Sequence, residues 1–183
     1  QNSADVLAAL FKGLSNADWT SKQGRAVLLM AGFKLTPQRF LNPSGENGSY
    51  VNKLVSNLLD LCSSDKIPVC QSAYRALGYA LGYMALNNHT DLLNICLPAL
   101  SKGMKLESTE VKLVVTQICS YVMLHNAEVS LNVANFARGF LLVLINGTRE
   151  KNTAVRSSSE QAVAHLCGIR PGTDYKELLQ YQS

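Results

Sequence analysis

Three segments of the chain share one pattern of apolar and small residues, and this internal repeat constrains the fold more than any other feature. Each copy starts at a valine followed by a basic or polar residue, and Val69, Val111 and Val155 are separated by 42 and 44 residues. The positions four, seven and eight residues after each valine are apolar or small: Ala73, Ala76 and Leu77; Val115, Ile118 and Cys119; Ser159, Ala162 and Val163. Steps of three and four residues place these side chains on one face of an α-helix.

A weaker fourth copy precedes these three. It begins at Ser21-Lys22, 48 residues before the first repeat valine, and puts Arg25, Leu28 and Leu29 at the inward positions. Another apolar segment precedes each copy, so the repeating unit is a helical hairpin. The spacing is close to the roughly 40–47-residue period of HEAT and armadillo arrays. The sequence therefore predicts an all-α superhelix, a HEAT/ARM-type solenoid of about four hairpins, with an irregular helical bundle as the alternative.

Turn residues set the expected boundaries within a single repeat segment, 1–183. The predicted hairpins cover roughly residues 3–35, 50–86, 90–125 and 127–168, and a final helix covers 173–181. The stretch NPSGENGS, residues 42–49, is the most loop-like part of the chain. Thr153 precedes the last repeat valine by two residues and is predicted to cap its helix through the hydroxyl.

Composition limits the class of protein. Apolar residues make up 47% of the chain and charged residues 16%, which is far from a disordered composition. The longest apolar stretches are interrupted by Lys112 and Arg138, so no membrane span is predicted. Five scattered cysteines without a CxxC pair indicate reduced thiols and a cytoplasmic protein. The chain opens on glutamine and shows no signal sequence, so we expect a piece of a longer protein.

No pattern of catalytic, cofactor-binding or metal-binding residues is present in the sequence. The three histidines and five cysteines are dispersed and lack the spacing of zinc ligands. The loop NPSGENGS lacks the GKS or GKT ending of a phosphate-binding loop and the strand that precedes one. No nucleophile and base can be placed together. We therefore expect a protein that is not an enzyme and that has no cofactor, no metal and no small-molecule substrate.

Cations cluster where the first and second helices of the predicted hairpins are joined. This candidate edge comprises Lys66, Lys102, Lys105, Arg149 and Lys151. A second basic run comprises Lys22, Arg25, Lys34 and Arg39. In a chain of net charge +4, such surfaces can attract rRNA or tRNA phosphates by counterion release. The alternative is that these residues only solvate helix ends and complement helix C-termini.

Two further predictions concern a structural arginine and a surface for protein partners. Arg156 follows the repeat valine and is predicted to be a structural residue that bonds an adjacent turn. A protein-binding module could instead use the concave surface of the second helices, around Arg75, Glu110, Lys112 and Glu160. Salt distinguishes the two kinds of partner, because RNA binding falls steeply with ionic strength and binding in an apolar groove does not.

Three stretches resemble one known family. NGTREKNTAVRSSSEQAVAHLCGIRPG is similar to the extreme C-terminal HEAT region of the general control non-derepressible translational activators. ADWTSKQGRAV and SSDKIPVCQSAYRALGYALGYM are similar to the preceding repeats of that family, in the same order. The resemblance covers roughly residues 16–179. Its most specific part is the KNTAVR turn with the downstream Gln161 and Ala162.

The resemblance implies a scaffold that is the C-terminal fragment of a much larger protein. Members of the family are very large HEAT-repeat proteins that bind ribosomes, particularly stalled and collided ones. They contact the amino-acid-starvation kinase of translation initiation factor two alpha, so that uncharged tRNA activates it. The kinase-binding module of the family lies upstream of this region, so no kinase contact is assigned here. A generic HEAT protein-protein interaction module unrelated to translation control is the alternative.

Overall fold

The chain is all-α, as the repeat pattern predicts. The computed structural model describes residues 19–35, 50–86, 91–125 and 131–166. Within these ranges it contains no strand and seven helices: α1 (Trp19–Leu35), α2 (Tyr50–Cys62), α3 (Ile67–Leu86), α4 (Leu93–Gly103), α5 (Thr109–His125), α6 (Leu131–Gly147) and α7 (Thr153–Leu166). Residues 3–18 of the first predicted hairpin, the loop at 42–49 and the predicted final helix at 173–181 lie outside the described residues. No helix in the described ranges has the length and apolarity that crossing a bilayer requires.

The chain divides into two compact units, Gln1–Ala80 and Leu81–Ser183, and α3 runs across the boundary. In the first unit α1 packs on α2. The Cys70 thiol at the start of α3 donates to the Cys62 carbonyl oxygen at the end of α2, 3.3 Å away. Phe33 of α1 meets the Tyr79 ring of α3 edge to face, with centroids 6.3 Å apart. These contacts join three helices around an apolar interior.

The second unit stacks two helical hairpins, α4–α5 and α6–α7. The first helices pack together, α4 on α6, and the second helices pack together, α5 on α7. Within each hairpin the two helices also touch. Gly139 of α6 allows a close approach, because a methyl group there would stand 3.0 Å from Cδ1 of Leu97 in α4. This arrangement places equivalent helices of successive hairpins side by side, as in HEAT repeats.

The repeat positions face the interior. Val69, Val111 and Val155 are at most 1% exposed. The positions four, seven and eight residues later in each of these copies are buried as well: Ala73, Ala76, Leu77, Val115, Ile118, Cys119, Ser159, Ala162 and Val163. Burying these largely apolar faces is the main favourable contribution to folding of such hairpins.

The first copy differs from its predicted alignment. Leu28, predicted to point inward, is 57% exposed, whereas Ala26, Leu29 and Phe33 are buried. The inward face therefore starts one residue later than expected, with Lys22 in the place that valine takes in the other copies. Ala26, Leu29 and Phe33 stand four, seven and eleven residues after Lys22. This spacing places the three small or apolar side chains on one face of the helix.

The predicted helix cap at Thr153 is corrected by the structure. The Val155 amide donates to Oδ1 of Asn152, at 3.2 Å, so Asn152 is the capping residue of α7. The equivalent position in the preceding hairpin is Ser108, whose hydroxyl accepts from the Val111 amide at 3.3 Å. Asn and Ser side chains satisfy one of the free amides of a first helical turn. The Thr153 hydroxyl instead accepts a bond from Arg156, at 3.2 Å.

Candidate interaction surfaces

The α4–α5 and α6–α7 turns of the second unit lie against each other. A methyl group on Gly147, at the end of α6, would stand 3.0 Å from Cε of Met104, which follows α4. Nζ of Lys112, in the first turn of α5, forms an ion pair with Oε1 of Glu150 at 2.7 Å. Both partners are half-buried, with side chains 16% and 29% exposed. The two turns therefore form one continuous edge of the unit.

Hydrogen bonds hold the α6–α7 turn in one shape. Nη1 of Arg156 donates to the carbonyl oxygens of Glu150 and Lys151, at 2.9 and 3.0 Å. The Thr148 hydroxyl donates to the Ile145 carbonyl oxygen at 2.7 Å. The structure thus places Arg156 underneath the turn, with its guanidinium occupied by the backbone of that turn. Because the guanidinium is charged, its hydrogen bonds to the carbonyl oxygens of Glu150 and Lys151 are strong and stabilise one conformation of the turn.

Four predicted cations lie on this edge and are exposed. We call Lys102, Lys105, Arg149 and Lys151 the basic edge. The acidic residues in the same two turns are Glu107, which is exposed, and Glu150, which is paired with Lys112. Because the ion pair neutralises Glu150, the positive charge of Arg149 and Lys151 is less offset than the sequence alone suggests. Lys66 is also exposed but belongs to the first unit, in the α2–α3 turn.

The second basic run is less uniform than the basic edge. Nζ of Lys34 lies 4.5 Å from the centroid of the Tyr79 ring, in a cation–π contact. Lys22 and Arg25 are half-buried. Nη1 of Arg25 is buried and has no hydrogen-bond partner among the described residues. Arg39 lies outside the described ranges. The other three members of this run lie on α1, where Lys34 is exposed and Lys22 and Arg25 are half-buried.

A groove runs between the second helices α5 and α7. Its volume is about 500 Å3. Its lining includes Leu113, Gln117, Ser120, Ser157, Gln161 and His165. The hydroxyls of Thr116 and Ser158 form a hydrogen bond that joins the two helices beside it. We call this the second-helix groove.

The buried thiols are unsuited to nucleophilic chemistry. Cys62, Cys70, Cys96 and Cys119 are free and buried. Burial raises the pKa of the Cys96 thiol from 9.0 to about 12, and burial also raises the pKa of the Cys119 thiol. A thiol is a nucleophile or metal ligand as its thiolate, so these two groups stay inert near neutral pH. In the described part of the chain, no three His, Cys, Asp or Glu side chains are grouped as a metal site.

Sequence reasoning missed three features of these surfaces. The ion pair Lys112–Glu150 joins residues 38 positions apart, and no local pattern indicates it. The Asn152 cap could have been found, because it and Ser108 both stand three residues before a repeat valine. No sequence pattern indicates the second-helix groove, whose polar lining consists of Ser, Gln and His side chains. The protein-binding surface around Arg75, Glu110, Lys112 and Glu160 stays a prediction, and Lys112 is paired with Glu150 of the neighbouring turn.

Comparison with known proteins identifies the family. Residues 1–181 match the family described as "Stalled ribosome sensor GCN1-like, HEAT repeats". The mouse protein named Stalled ribosome sensor GCN1 is 26% identical over 93% of this chain. The human protein of the same name is 24% identical over 94% of it. No solved structure matches the chain. The chain spans 6% of the length of each of these two relatives. It therefore belongs to the GCN1-like HEAT-repeat family.

Proposed function

We propose that the chain is a non-catalytic segment of a cytoplasmic, ribosome-associated scaffold, and that its basic edge contacts ribosomal RNA. The family match over residues 1–181 supports this proposal over a HEAT module unrelated to translation. The relatives are named as stalled ribosome sensors, which makes the ribosome the natural partner to test. A helical stack of this kind offers surfaces to partners, and we assign it no reaction.

The observation that carries the proposal is the geometry of the basic edge. Two adjoining turns present Lys102, Lys105, Arg149 and Lys151 to solvent. The Arg156 hydrogen bonds fix the backbone of the α6–α7 turn that carries Arg149 and Lys151, and the Lys112–Glu150 ion pair joins this turn to α5. Cations on a rigid support lose less conformational freedom on binding than cations on a mobile loop. Phosphates of rRNA are the dense negative charges that such a surface attracts on a ribosome.

Charge reversal of the basic edge tests the proposal. We expect replacement of Lys102, Lys105, Arg149 and Lys151 by Glu to abolish co-sedimentation of the 183-residue chain with ribosomes at low salt. Repulsion from phosphates replaces attraction at all four positions. All four side chains are exposed, so the helical circular dichroism spectrum should be retained.

A matched pair of variants separates the edge from net charge. Arg149→Glu with Lys151→Glu changes the charge by the same amount as Lys53→Glu with Arg138→Glu, and all four residues are exposed. We expect the first pair to weaken ribosome binding at least about tenfold more than the second. Equal losses would show that only total charge matters, and unchanged binding by the edge variant would reject the RNA contact.

We further propose that the parent protein activates the starvation-responsive kinase of initiation factor two alpha. The family match supports this role. In our proposal this segment contributes the ribosome contact, and the kinase contact lies elsewhere in the longer protein. In cells that carry the charge-reversed edge in the full-length protein, starvation should raise phosphorylation of initiation factor two alpha less than in wild type. A normal phosphorylation response in cells whose variant has lost ribosome binding would contradict this role.

A further inference from the structure

Thr153 carries an exposed hydroxyl among the cations of the α6–α7 turn. It is the first residue of α7, and residues 151–154 around it are all exposed. Arg149 and Lys151 of the basic edge stand four and two residues before it. Nη2 of Arg156 donates a hydrogen bond to its Oγ1 at 3.2 Å. The hydroxyl is therefore accessible from solvent and is already in contact with a guanidinium.

The preceding hairpin has the same residue at the same place in a different charge environment. Thr109 begins α5 as Thr153 begins α7; both are exposed and both stand two residues before a repeat valine. Glu107 takes the place that Lys151 has before Thr153, and Glu110 follows Thr109 directly. A helix start is common to both threonines. The bonded guanidinium and the nearby lysine distinguish Thr153.

The surroundings of Thr153 suit a phosphate on its side-chain oxygen. Phosphorylation of a threonine adds a charge of about −1.5 to −2 at pH 7 and three acceptor oxygens. Nη2 of Arg156 would then donate to a charged acceptor, and such hydrogen bonds are roughly twice as strong as those to a neutral hydroxyl. Nη1 of the same side chain bonds the carbonyl oxygens of Glu150 and Lys151. The guanidinium can therefore hold the phosphate and the turn together.

We propose that Thr153 is a phosphorylation site whose phosphate is held by Arg156 and cancels the charge of the adjoining half of the basic edge. A protein kinase transfers the γ-phosphoryl group of ATP to Oγ1. The bond between the γ-phosphorus and the oxygen that bridges to the β-phosphate breaks, ADP leaves, and the hydroxyl proton is released. The phosphate offsets most of the positive charge of Arg149 and Lys151. The resulting loss of attraction for rRNA rests on the proposed function, whereas the modification itself does not.

The sequence around the acceptor indicates the class of kinase. Kinases select substrates by the charge pattern beside the acceptor. Arg149 and Lys151 precede Thr153, so the matching kinase has acidic groups where it binds the residues before the acceptor. The acceptor must leave its helix to enter such a cleft. The end of a helix opens at low cost, and only the first turn of α7 has to open.

Labelling tests the modification without reference to ribosomes. The 183-residue chain would be incubated with γ-labelled ATP and an extract of cells that make the full-length protein, and mass spectrometry would identify the labelled residues. We expect phosphate on Thr153. Thr153→Ala should lose most of the label, and the matched variant Thr109→Ala should retain it. No phosphate on Thr153, or equal losses in the two variants, would overturn the proposal.

Phosphorus NMR tests the contact with Arg156. Phosphothreonine would be installed genetically at position 153 in one chain and at position 109 in another. An adjacent cation favours the doubly charged phosphate, so we expect its second pKa to be lower at position 153 than at position 109, by at least about half a unit. Adding Arg156→Gln should remove most of this difference in a chain that keeps its helical circular dichroism spectrum. Equal pKa values at the two positions would show that no guanidinium holds the phosphate.

Ribosome co-sedimentation measures the effect on the basic edge. Phosphothreonine at position 153 should weaken binding about tenfold at low salt and flatten the salt slope by roughly 1.4–1.8, the share of two phosphate contacts. Thr153→Ala, which carries no phosphate, should bind like wild type. Lys53→Glu changes the net charge by a similar amount at an exposed position in α2 and should weaken binding less.

The results separate this proposal from the proposed function. If charge reversal of the basic edge abolishes ribosome binding but phosphate at position 153 leaves it unchanged, the regulatory effect is wrong. If charge reversal has no effect, the RNA contact is wrong. The labelling and NMR results then still decide whether Thr153 is phosphorylated and whether Arg156 holds the phosphate.

Discussion

Gly147 ends α6 at a point where a side chain has no room. A methyl group there would stand 3.0 Å from Cβ of Ser159 and from Cε of Met104, and it would meet the Ser159 hydroxyl more closely still. The Ser159 hydroxyl is buried and has no hydrogen-bond partner within the described part of the chain. The two residues therefore allow α6 and α7 to approach closely at the cost of one unsatisfied polar atom.

We expect Gly147→Ala to lower the free energy of unfolding by about 1–3 kcal/mol, because the added methyl overpacks a closed contact. Adding Ser159→Ala should restore part of this loss, since it removes the hydroxyl that the methyl meets. Urea denaturation of the single and double variants measures both effects.

The control for this substitution is Gly24→Ala, which adds the same methyl group within α1. Nothing lies within 4 Å of a methyl group there. Alanine at this position should be neutral or stabilise the chain by up to about 1 kcal/mol through helix propensity. Equal destabilisation by both substitutions would show that overpacking at Gly147 is not the cause.

The buried thiols make stability depend on alkaline pH. The Cys96 pKa is raised from 9.0 to about 12 by burial, so the folded state keeps a proton that the unfolded state loses above pH 9. The stabilisation from this difference is complete below pH 9 and is lost progressively as the pH rises toward 12. Cys119, whose pKa burial also raises, acts in the same direction.

Urea denaturation at pH 8 and pH 10 checks this effect. One thiol of this kind should lower the free energy of unfolding by about 1.4 kcal/mol between these two pH values. In Cys96→Ala the fall between pH 8 and 10 should be smaller by that amount, even though the variant is less stable at both. The same pH dependence in wild type and variant would contradict the assignment to Cys96.

Among the secondary-structure elements, α5 is joined to the α6–α7 turn by the half-buried Lys112–Glu150 ion pair. This contact links two successive hairpins through their connecting turns. A double-mutant cycle with Lys112→Ala and Glu150→Ala should give a stabilising coupling energy of about 0.5–1.5 kcal/mol, above that of most fully exposed pairs. Urea denaturation of the four proteins measures it.

The control cycle uses Lys105 and Glu107, two exposed turn residues that form no ion pair with each other in the described α4–α5 turn. Its coupling energy should be near zero. If the coupling energy of Lys112 and Glu150 is no larger than that of this control cycle, the ion pair does not stabilise the packing of the two hairpins.

For the whole molecule, the basic edge determines how ribosome binding responds to salt. Each phosphate contact adds about 0.7–0.9 to the slope of log affinity against log salt concentration. We expect Lys102→Gln, Lys105→Gln, Arg149→Gln and Lys151→Gln, combined one after another, to flatten the slope stepwise by about that amount each. Binding measured between low and physiological salt gives the slopes. Slopes that stay constant while affinity falls would exclude phosphate contact.

Much of the fold could be predicted because the sequence repeats. Separations of 42 and 44 residues between valines, with small or apolar residues at fixed offsets, indicated the second helix of three hairpins and their buried faces. The prediction was wrong at Leu28, where the repeat is weakest and a shift of one residue rotates the inward face. It was also wrong at Thr153, because Asn152 and Thr153 are both good capping residues and adjacent in sequence.

The candidate surfaces could also be predicted only in part. The sequence by itself determined which residues are buried within a repeating helix, since burial with a period of 3.6 residues is a local property of the chain. It also showed cations in the connecting turns. Only the tertiary structure decided that Glu150 pairs with Lys112 and that hydroxyls and amides line the second-helix groove. Those facts depend on the depth and offset at which one hairpin stacks on the next, and packing between distant residues sets both.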